Sequence, residues 1–330
     1  MAQGSVLLAD LNGRDLVLAL TRPGEPPRDH VTQPCASLAE LESALLSAVL
    51  EVGFDNLIGA AVCAAGPEID GAITVTGTDF TVSLGWLRGL LRTPRAHLIN
   101  DFTACALGAP RLSPDAIETV HDGVPARSST IAVVGPNLGL GVACLAPLRA
   151  DGWLAVPSEG GHIDFAAGEP REAAIFERLR AAHGRVSAEH LLCQQGLGEI
   201  HALLSQPDAV VFSPTNDNVV IDLCRAGDPV AVEAISIFSG LLGAFVGDIA
   251  LLYAARGGIY LNSPLMERID GLLDREAFGR RFRDKGRMSA YLTEIPVYLT
   301  RGRCTLLGLS SLFTPSDLRY TTSEIAFLDC

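Results

Sequence analysis

A strand–turn–strand pattern that occurs twice in this 330-residue chain limits its fold more than any other feature. In its first occurrence, short β-type apolar runs lie on either side of a polar turn, residues 10–15, which predicts a hairpin. The pattern recurs around the glycine-rich segment 135–141. The four predicted strands are residues 6–9, 16–20, 131–134 and 142–145.

Helix and strand signals alternate between and after these hairpins. Helical spacing is found at residues 38–50, with Ser37 as the expected N-cap, at 84–91, through most of 171–256 apart from a polar loop at 213–218, and at 306–313. Further strands are predicted at 57–62, 97–99, 258–261 and 297–299, and the tail from Thr314 has no clear pattern. This alternation predicts an α/β protein of two halves, with a hairpin turn from each half directed at one ligand cleft.

Composition and charge narrow the function classes. Apolar residues make up 48% of the chain and charged residues 19%, which is typical of a globular protein. The net charge of −13 disfavours a nucleic-acid partner and anionic membrane surfaces. Eight cysteines without a C-x-x-C spacing and seven histidines without an H-x-x-x-H pair indicate reduced thiols and no structural metal.

Two further features predict a cytoplasmic protein. The chain passes from Met1 directly into a strand, without a basic segment or cleavage site typical of a secretory signal. The most apolar long stretch, residues 241–255, is short for a membrane span and carries Asp248. We therefore expect it to be a buried helix.

Five segments, in order along nearly the whole chain, resemble the bacterial glucokinase family. Residues 98–104, L-I-N-D-F-T-A, resemble its I-N-D-F-T-A signature, and residues 157–165, P-S-E-G-G-H-I-D-F, resemble P-G-E-G-G-H-V-D-F. Residues 184–191, G-R-V-S-A-E-H-L, resemble G-H-V-S-A-E-R-V. Residues 284–287 and 295–299 match two further family stretches near the C-terminus.

The resemblance implies a two-domain actin-like ATPase (ribonuclease H-like) fold with a cleft between the domains. The smaller α/β domain would comprise residues 1–108 plus 305–330, and the larger one residues 109–304. It also implies ATP and Mg²⁺ as cofactors, glucose as substrate and a homodimer in the cytoplasm. No metal bound by the protein itself, no nucleic acid and no membrane are expected.

The sugar-binding residues implied by the resemblance are Asn100, Asp101, Glu159, His162 and Glu189. Asp101 would be the catalytic base that accepts the proton of the sugar hydroxyl, because phosphoryl transfer needs a positioned carboxylate at that atom. Each residue has a structural alternative: Asp101 could cap a helix, Glu159 and His162 could be ordinary loop residues, and Glu189 could favour a helix start.

The nucleotide-binding residues implied are Asp10, Gly13, Arg14, Gly135, Gly139, Gly141 and Gly258. Their loops depart from the family patterns D-x-G-G-T-N, G-x-G-T-G-L-G and G-G-x-x-x-A-G-G. Arg14 and Asp15 replace the threonine and the asparagine of the first pattern. Leu138 replaces the threonine of the second pattern. Asn262 and Ser263 take the place of glycines on the adenosine side, where we expect added side chains to hinder adenine.

Two functions follow from this combination. The first is a glucokinase that transfers the γ-phosphoryl group of ATP to the 6-hydroxyl of glucose. The alternative is a glucose-binding pseudokinase or regulatory protein with little or no phosphotransfer, because three ATP loops are altered. A kinase for another hexose is a third possibility that the residues leave open.

Overall fold

The computed structural model describes residues 4–148, 153–207 and 213–313, and the backbone of 318–320. The chain forms two compact units. The first unit comprises residues 1–114, 143–157 and 302–330, and the second comprises 115–142 and 158–301.

The helices and strands alternate as the sequence predicts. Up to residue 108 they are β1 (Ser5–Asn12), β2 (Asp15–Thr21), β3 (Val31–Pro34), α1 (Leu38–Val52), β4 (Leu57–Ala64), β5 (Glu68–Ile69), β6 (Ala72–Thr74), β7 (Thr81–Ser83), α2 (Leu84–Leu91), β8 (Ala96–Asn100) and α3 (Asp101–Gly108). From residue 117 they are β9 (Ile117–His121), β10 (Ile131–Pro136), β11 (Leu140–Pro147), β12 (Trp153–Ser158), α4 (Pro170–His183), α5 (Ala188–Leu191), α6 (Gln194–Ser205), α7 (Asp217–Arg225), α8 (Pro229–Leu252), β13 (Gly258–Leu261), α9 (Pro264–Arg268), α10 (Arg275–Arg283), α11 (Ser289–Thr293), β14 (Val297–Thr300), α12 (Cys304–Ser311) and β15 (Leu318–Tyr320).

The first unit is built on a five-stranded sheet in the order β3-β2-β1-β4-β8. β1 and β2 form the predicted hairpin, but its turn is only Gly13-Arg14, since Asn12 pairs with Asp15. Gly13 has φ +64°, a left-handed conformation that glycine adopts without strain. β4 runs parallel to both β1 and β8, so the carboxyl ends of all three strands lie at one edge of the sheet. That edge carries the candidate residues of this unit.

Helices α3 and α12 pack together in the first unit at two glycines. A Cβ atom on Gly108 would lie 2.0 Å from the carbonyl oxygen of Cys304, and one on Gly308 would lie 1.8 Å from that of Ala104. Only glycine permits this close approach. The contact fixes the start of α12 beside the sheet edge described above, which places Thr305 next to β1.

The second unit contains the strand order β10-β13-β14-β9, in which the first three strands are parallel and β9 is antiparallel. The boundary between the units passes through β11 and near the end of β12. Its core surrounds α8, which packs against α6, α7 and α10. The largest fully buried side chains there are Phe238, Phe245, Phe278 and Phe282.

The apolar stretch predicted as a buried helix lies within α8. The helix has 24 residues and is apolar enough to span a membrane by length and composition, so the expectation that it is too short was wrong. Its burial was predicted correctly, because 78% of its most apolar window is buried inside the unit. Asp248 is satisfied by Lys285 at 2.6 Å. The helix has the features of a core helix.

The second predicted turn is also tighter than expected. β10 extends through Pro136 and β11 begins at Leu140, so only residues 137–139 form the turn. In the tail from Thr314, where the sequence shows no pattern, β15 pairs with β12. The rest of the tail lies outside the described residues.

Candidate functional site

Asn100 and Asp101 lie where β8 ends and α3 begins in the first unit. The N-cap of α3 is Asn100, whose Oδ1 accepts hydrogen bonds from the backbone N–H groups of Phe102 at 2.8 Å and Thr103 at 3.1 Å. The alternative that Asp101 caps the helix is therefore wrong, because Asp101 is the first helical residue. Its buried carboxylate accepts the Phe102 N–H at Oδ1, 2.9 Å away.

Most of the Asn100 amide is used within the unit. Besides the two bonds at Oδ1, its Nδ2 donates to the carbonyl of Gly66 at 3.0 Å. An asparagine side chain offers two N–H donors and one carbonyl with two lone pairs. Only one N–H of Asn100 is left for a ligand, so its first task in this fold is to hold Asp101 at the start of α3.

Asp10 lies near the end of β1 with 5% of its surface exposed. Its Oδ2 accepts a hydrogen bond from Thr305 Oγ1 at 2.5 Å, and its Oδ1 is 3.5 Å from the Cys63 thiol. Burial raises the pKa of Asp10, although both donors and the positive charge of Arg303 oppose the rise.

The candidate carboxylates of this unit, Asp10 and Asp101, lie on either side of β4. Burial, followed by the negative charges of Asp10 and Asp101, raises the pKa of Cys63 well above its usual range. The structure thus brings together two residues that are 91 positions apart in the sequence (101 minus 10). Cys63 and Thr305 were missed by sequence reasoning, because neither belongs to a motif on which the resemblance was based.

Asp10 does not fit a direct Mg²⁺ ligand. Both of its oxygens already accept hydrogen bonds, and the carboxylate is almost fully buried. Among the described residues, no group of three or more His, Cys, Asp or Glu side chains is arranged to hold a metal ion. Mg²⁺ usually keeps several waters and binds through one or two carboxylates together with substrate phosphates.

The tip of the first hairpin carries the altered residues Arg14 and Asp15. Both side chains are exposed, and the structure records no ion pair for either within its described part. The two side chains are therefore not recorded as a pair with each other there. The backbone is held in place, since the carbonyl of Arg14 accepts the N–H of Cys35 at 2.7 Å.

In the second unit, the turn between β10 and β11 is held by Gln194, the first residue of α6. Asn137 accepts the backbone N–H of Gln194 at 2.8 Å, and its Oδ1 accepts Gln194 Nε2 at 2.9 Å. Leu138 occupies the tip with 64% of its surface exposed. Of the predicted glycines, Gly139 closes the turn, whereas Gly135 and Gly141 lie within strands.

Glu189 joins this turn to the candidate sugar residues. Its Oε2 accepts the backbone N–H of Leu140 at 2.9 Å. Its Oε1 lies 3.6 Å from His162 Nδ1, and His162 Nε2 lies 3.8 Å from Glu159 Oε2. The structure therefore brings together the three residues of this unit that were predicted to bind sugar, and it sets one of them against the turn predicted to bind phosphate.

Two glycines make the close approach possible. A Cβ on Gly139 would lie 2.5 Å from Glu189 Oε2, and one on Gly161 would lie 2.1 Å from the carbonyl oxygen of Leu140.

Partial burial raises the pKa of Glu159; the negative charge of Glu189 adds to this rise and His162 opposes it.

Arg185 and Asp164 support the cluster and were also missed by sequence reasoning. Arg185 donates to Asp164 Oδ1 at 2.8 Å and to the carbonyl of His162 at 2.6 Å. Asp164 in turn pairs through its backbone with Ser187, the N-cap of α5. Asp164 lies in the matched segment 157–165 and Arg185 in the matched segment 184–191. Their place in these segments was the signal by which the sequence could have indicated them.

On the side predicted for adenosine, Gly258 begins β13 with φ +111°. The nearby Asn262 and Ser263 are buried, with exposed fractions of 9% and 5%. Asn262 Nδ2 donates to Thr300 Oγ1 at 2.8 Å, and Ser263 Oγ accepts the Met266 N–H at 3.1 Å as the N-cap of α9. Both side chains are therefore engaged inside the unit, and their expected effect on adenine stays a prediction.

Comparison with known proteins shows the family of this chain. The family model described as Glucokinase matches residues 7–315. The chain belongs to the glucokinase family. It is 63% identical to a "Glucokinase-like protein" of Caulobacter vibrioides over 97% of this chain and 100% of that protein. It is 38% identical to a "Glucokinase" of Chromobacterium violaceum over 89% of this chain and 84% of the relative.

The family's fold is shown by a solved structure as well. The crystal structure of a glucokinase from an Antarctic psychrotroph matches with a TM-score of 0.81 and 27% identity, over 94% of this chain and 98% of that one. The actin-like ATPase fold expected from the resemblance is thereby confirmed.

The buried Asp10 carboxylate predicts a pH-dependent effect on stability. A pKa raised in the folded state means that folding favours the protonated form, so the contribution to stability is present at low pH and is lost as the pH rises through the folded pKa. We expect Asp10→Asn to raise the melting temperature at about pH 8, and the gain to shrink towards about pH 4.

The matched control is Asp55→Asn, since Asp55 is exposed in the same unit. Melting curves recorded between those pH values measure the effect in both variants. An equal gain in melting temperature at both ends of the pH range would contradict the raised pKa of Asp10. A gain of the same size in Asp55→Asn would contradict it as well.

Proposed function

We propose that this protein is an ATP-dependent glucokinase that transfers the γ-phosphoryl group of ATP to the 6-hydroxyl of glucose. The observation that carries the proposal is the contact of Glu189 with both His162 and the Leu140 N–H. It places the candidate sugar residues of the second unit directly against the turn predicted to face phosphate.

The chemistry of the cluster suits a pyranose. Sugar hydroxyls both donate and accept hydrogen bonds, and a site that recognises them needs carboxylates and imidazole or amide groups. Glu159 and Glu189 supply acceptors, and His162 lies between them. About half of the Glu159 and His162 side-chain surface is exposed, at 56% and 58%, so both have atoms available to a ligand.

Asp101 is the residue we propose as general base. Transfer of a phosphoryl group depends mainly on positioning and charge stabilisation, and the attacking hydroxyl must lose its proton to a nearby carboxylate. The cap at Asn100 and the Phe102 N–H hold the Asp101 carboxylate at the start of α3. Its rotamer is thereby fixed before any substrate binds.

On the phosphate side, we propose that Gly13, Gly135, Gly139, Gly141 and Gly258 give the nucleotide access to the backbone. Arg14 supplies an exposed positive charge at the tip of the first hairpin. Asp10 shapes the end of β1 rather than binding metal, so Mg²⁺ would enter on the phosphates of ATP. The domain limits, the homodimer and the cytoplasmic location stay predictions.

A second candidate is a glucose-binding protein without efficient phosphotransfer. It is favoured by the exposed Leu138, which offers no hydroxyl to a phosphate at the turn tip. A hydrogen bond to a charged group contributes roughly 1.5–3 kcal/mol, so its loss weakens nucleotide binding. Asn262 and Ser263 are hydrogen-bonded inside the unit, so this candidate does not rest on steric hindrance of adenine by their side chains.

A coupled assay for glucose 6-phosphate tests the proposed function. We expect turnover with ATP and glucose, and we expect Asp101→Asn to lower it by about 10² or more while glucose affinity stays within about tenfold. A melting shift with glucose shows that each variant is folded and binds sugar. Full activity in Asp101→Asn would contradict its role as base, and no glucose-induced shift in the unaltered protein would contradict the sugar site.

The altered loops predict slow turnover that can be improved. We expect the combination Asn12→Gly, Arg14→Thr, Asp15→Asn and Leu138→Thr to raise kcat/KM for ATP by roughly tenfold or more, because a hydroxyl donor returns to each turn. Leu138→Ala is the control, since it removes the exposed apolar side chain without adding a donor. If the unaltered protein turns over at ordinary kinase rates of about 1–100 per second, the loop interpretation is wrong.

A further inference from the structure

His190 lies next to Glu189 in α5 and forms half of the capping box at the start of that helix. Its Nδ1 lies 3.0 Å from the backbone nitrogen of Ser187 and 3.2 Å from Ser187 Oγ. The Ser187 Oγ accepts the backbone N–H of His190 in return, at 3.4 Å. The two residues thus satisfy each other's backbone donors.

The geometry determines which form of the imidazole is present. A backbone N–H can only donate, so His190 Nδ1 must be an unprotonated acceptor and the ring must be neutral with its hydrogen on Nε2. A protonated imidazolium carries hydrogens on both nitrogens, so it would direct an N–H at the Ser187 N–H. Protonation therefore breaks this half of the capping box.

The capping box contributes a large share of the hydrogen bonds of α5, because this helix contains only four residues, Ala188–Leu191. Glu189 is the second of them, and its two oxygens contact the Leu140 N–H and face His162. No long helix holds Glu189 in place if the first turn loosens. The cap that His190 completes is therefore one of the contacts that orient this carboxylate, together with the hydrogen bond from the Ala188 N–H to the carbonyl of Ile163 at 3.0 Å.

We propose that His190 is a positioning residue for the sugar site, and that its protonation releases Glu189 and weakens glucose binding in mildly acidic solution. This inference rests on the proposed function, because it takes Glu189 to be a glucose ligand. Imidazole is the side chain whose unperturbed charge changes between about pH 5 and 8, so the effect falls within an accessible range.

The charged groups around α5 determine how readily His190 accepts a proton. The ring of His183, at the end of α4, stacks on that of His190 with centroids 5.1 Å apart. His183 Nε2 lies 3.8 Å from Glu199 Oε1, a buried carboxylate on α6. The carboxylate nearest to this ring pair therefore faces His183 rather than His190.

The remaining titratable groups near α5 have other partners or no recorded contact with His190 in the described part of the chain. On α6, His201 Nδ1 lies 3.0 Å from Thr215 Oγ1, and on α8, Asp248 pairs with Lys285. The others on the packed elements are His162, Glu233 and, in the last turn of α4, Arg180.

Calorimetric titration with glucose at about pH 8 and pH 5.5 tests the proposal. For the unaltered protein we expect the dissociation constant to rise about fivefold at the lower pH, the size expected for loss of a helix cap. His190→Gln should bind glucose with the affinity of the unaltered protein at pH 8 and keep that affinity at pH 5.5, because glutamine fills the same capping position and does not titrate. His183→Gln is the matched control, and it should retain the pH dependence.

The outcomes separate this inference from the proposed function. If the unaltered protein binds no glucose at pH 8, the sugar site and the inference both fail. If it binds equally well at both pH values, or if His190→Gln loses affinity at pH 5.5 as much as the unaltered protein does, the inference alone is overturned. The second result would assign the pH dependence to His162 and Glu159 instead. Circular dichroism at both pH values shows that each variant remains folded.

Discussion

The hydrogen bond from the Leu140 N–H to Glu189 Oε2 is the interaction on which the candidate site of the second unit depends. It joins a turn predicted to bind phosphate to a carboxylate predicted to bind sugar. Glycine is required at Gly161, where a Cβ would meet the backbone carbonyl oxygen of Leu140, and a Cβ at Gly139 would displace the Glu189 carboxylate. The glycines of both motifs therefore have a packing role in addition to any contact with a ligand.

A comparable division of tasks is found in the first unit. Asn100 caps α3 and so fixes the neighbouring Asp101, while Thr305 and Cys63 occupy the oxygens of Asp10. Asn100, which was predicted to bind sugar, thus also supports the neighbouring Asp101. The parallel arrangement of β1, β4 and β8 is the reason that Asp10 and Asp101 lie at the same edge of the sheet.

Local patterns in the sequence were sufficient for most of the fold. The hairpins, α2 and the strands before Asn100 follow from periodicity and turn residues, which act over a few positions. The length of α8 was underestimated because the apolar stretch was judged alone, whereas the helix begins at Pro229 behind the Asp228 cap. The tightness of both turns depends on strand pairing, which no single strand reveals.

The candidate residues could be named from the sequence, but the orientation of their side chains could not. Sequence could not show that Asn262 and Ser263 are directed inwards, because their partners Thr300 and Pro136 are distant in the chain. The contacts of Thr305 with Asp10 and of Arg185 with Asp164 are likewise properties of the folded chain. Such long-range hydrogen bonds decide whether the side chain of a residue that departs from the family pattern is available to a ligand or is bound within the protein.

Hydrogen exchange at the Leu140 amide measures the central interaction most directly. Burial in a hydrogen bond to Glu189 predicts that this amide is protected in the unaltered protein and that Glu189→Ala accelerates its exchange by roughly tenfold or more, while amides in the core of α8 remain unchanged. Glucose should increase the protection in the unaltered protein and have no effect in the variant. Equal exchange at Leu140 in both proteins, with or without glucose, would contradict the account that Glu189 joins the candidate sugar residues to the turn predicted to bind phosphate.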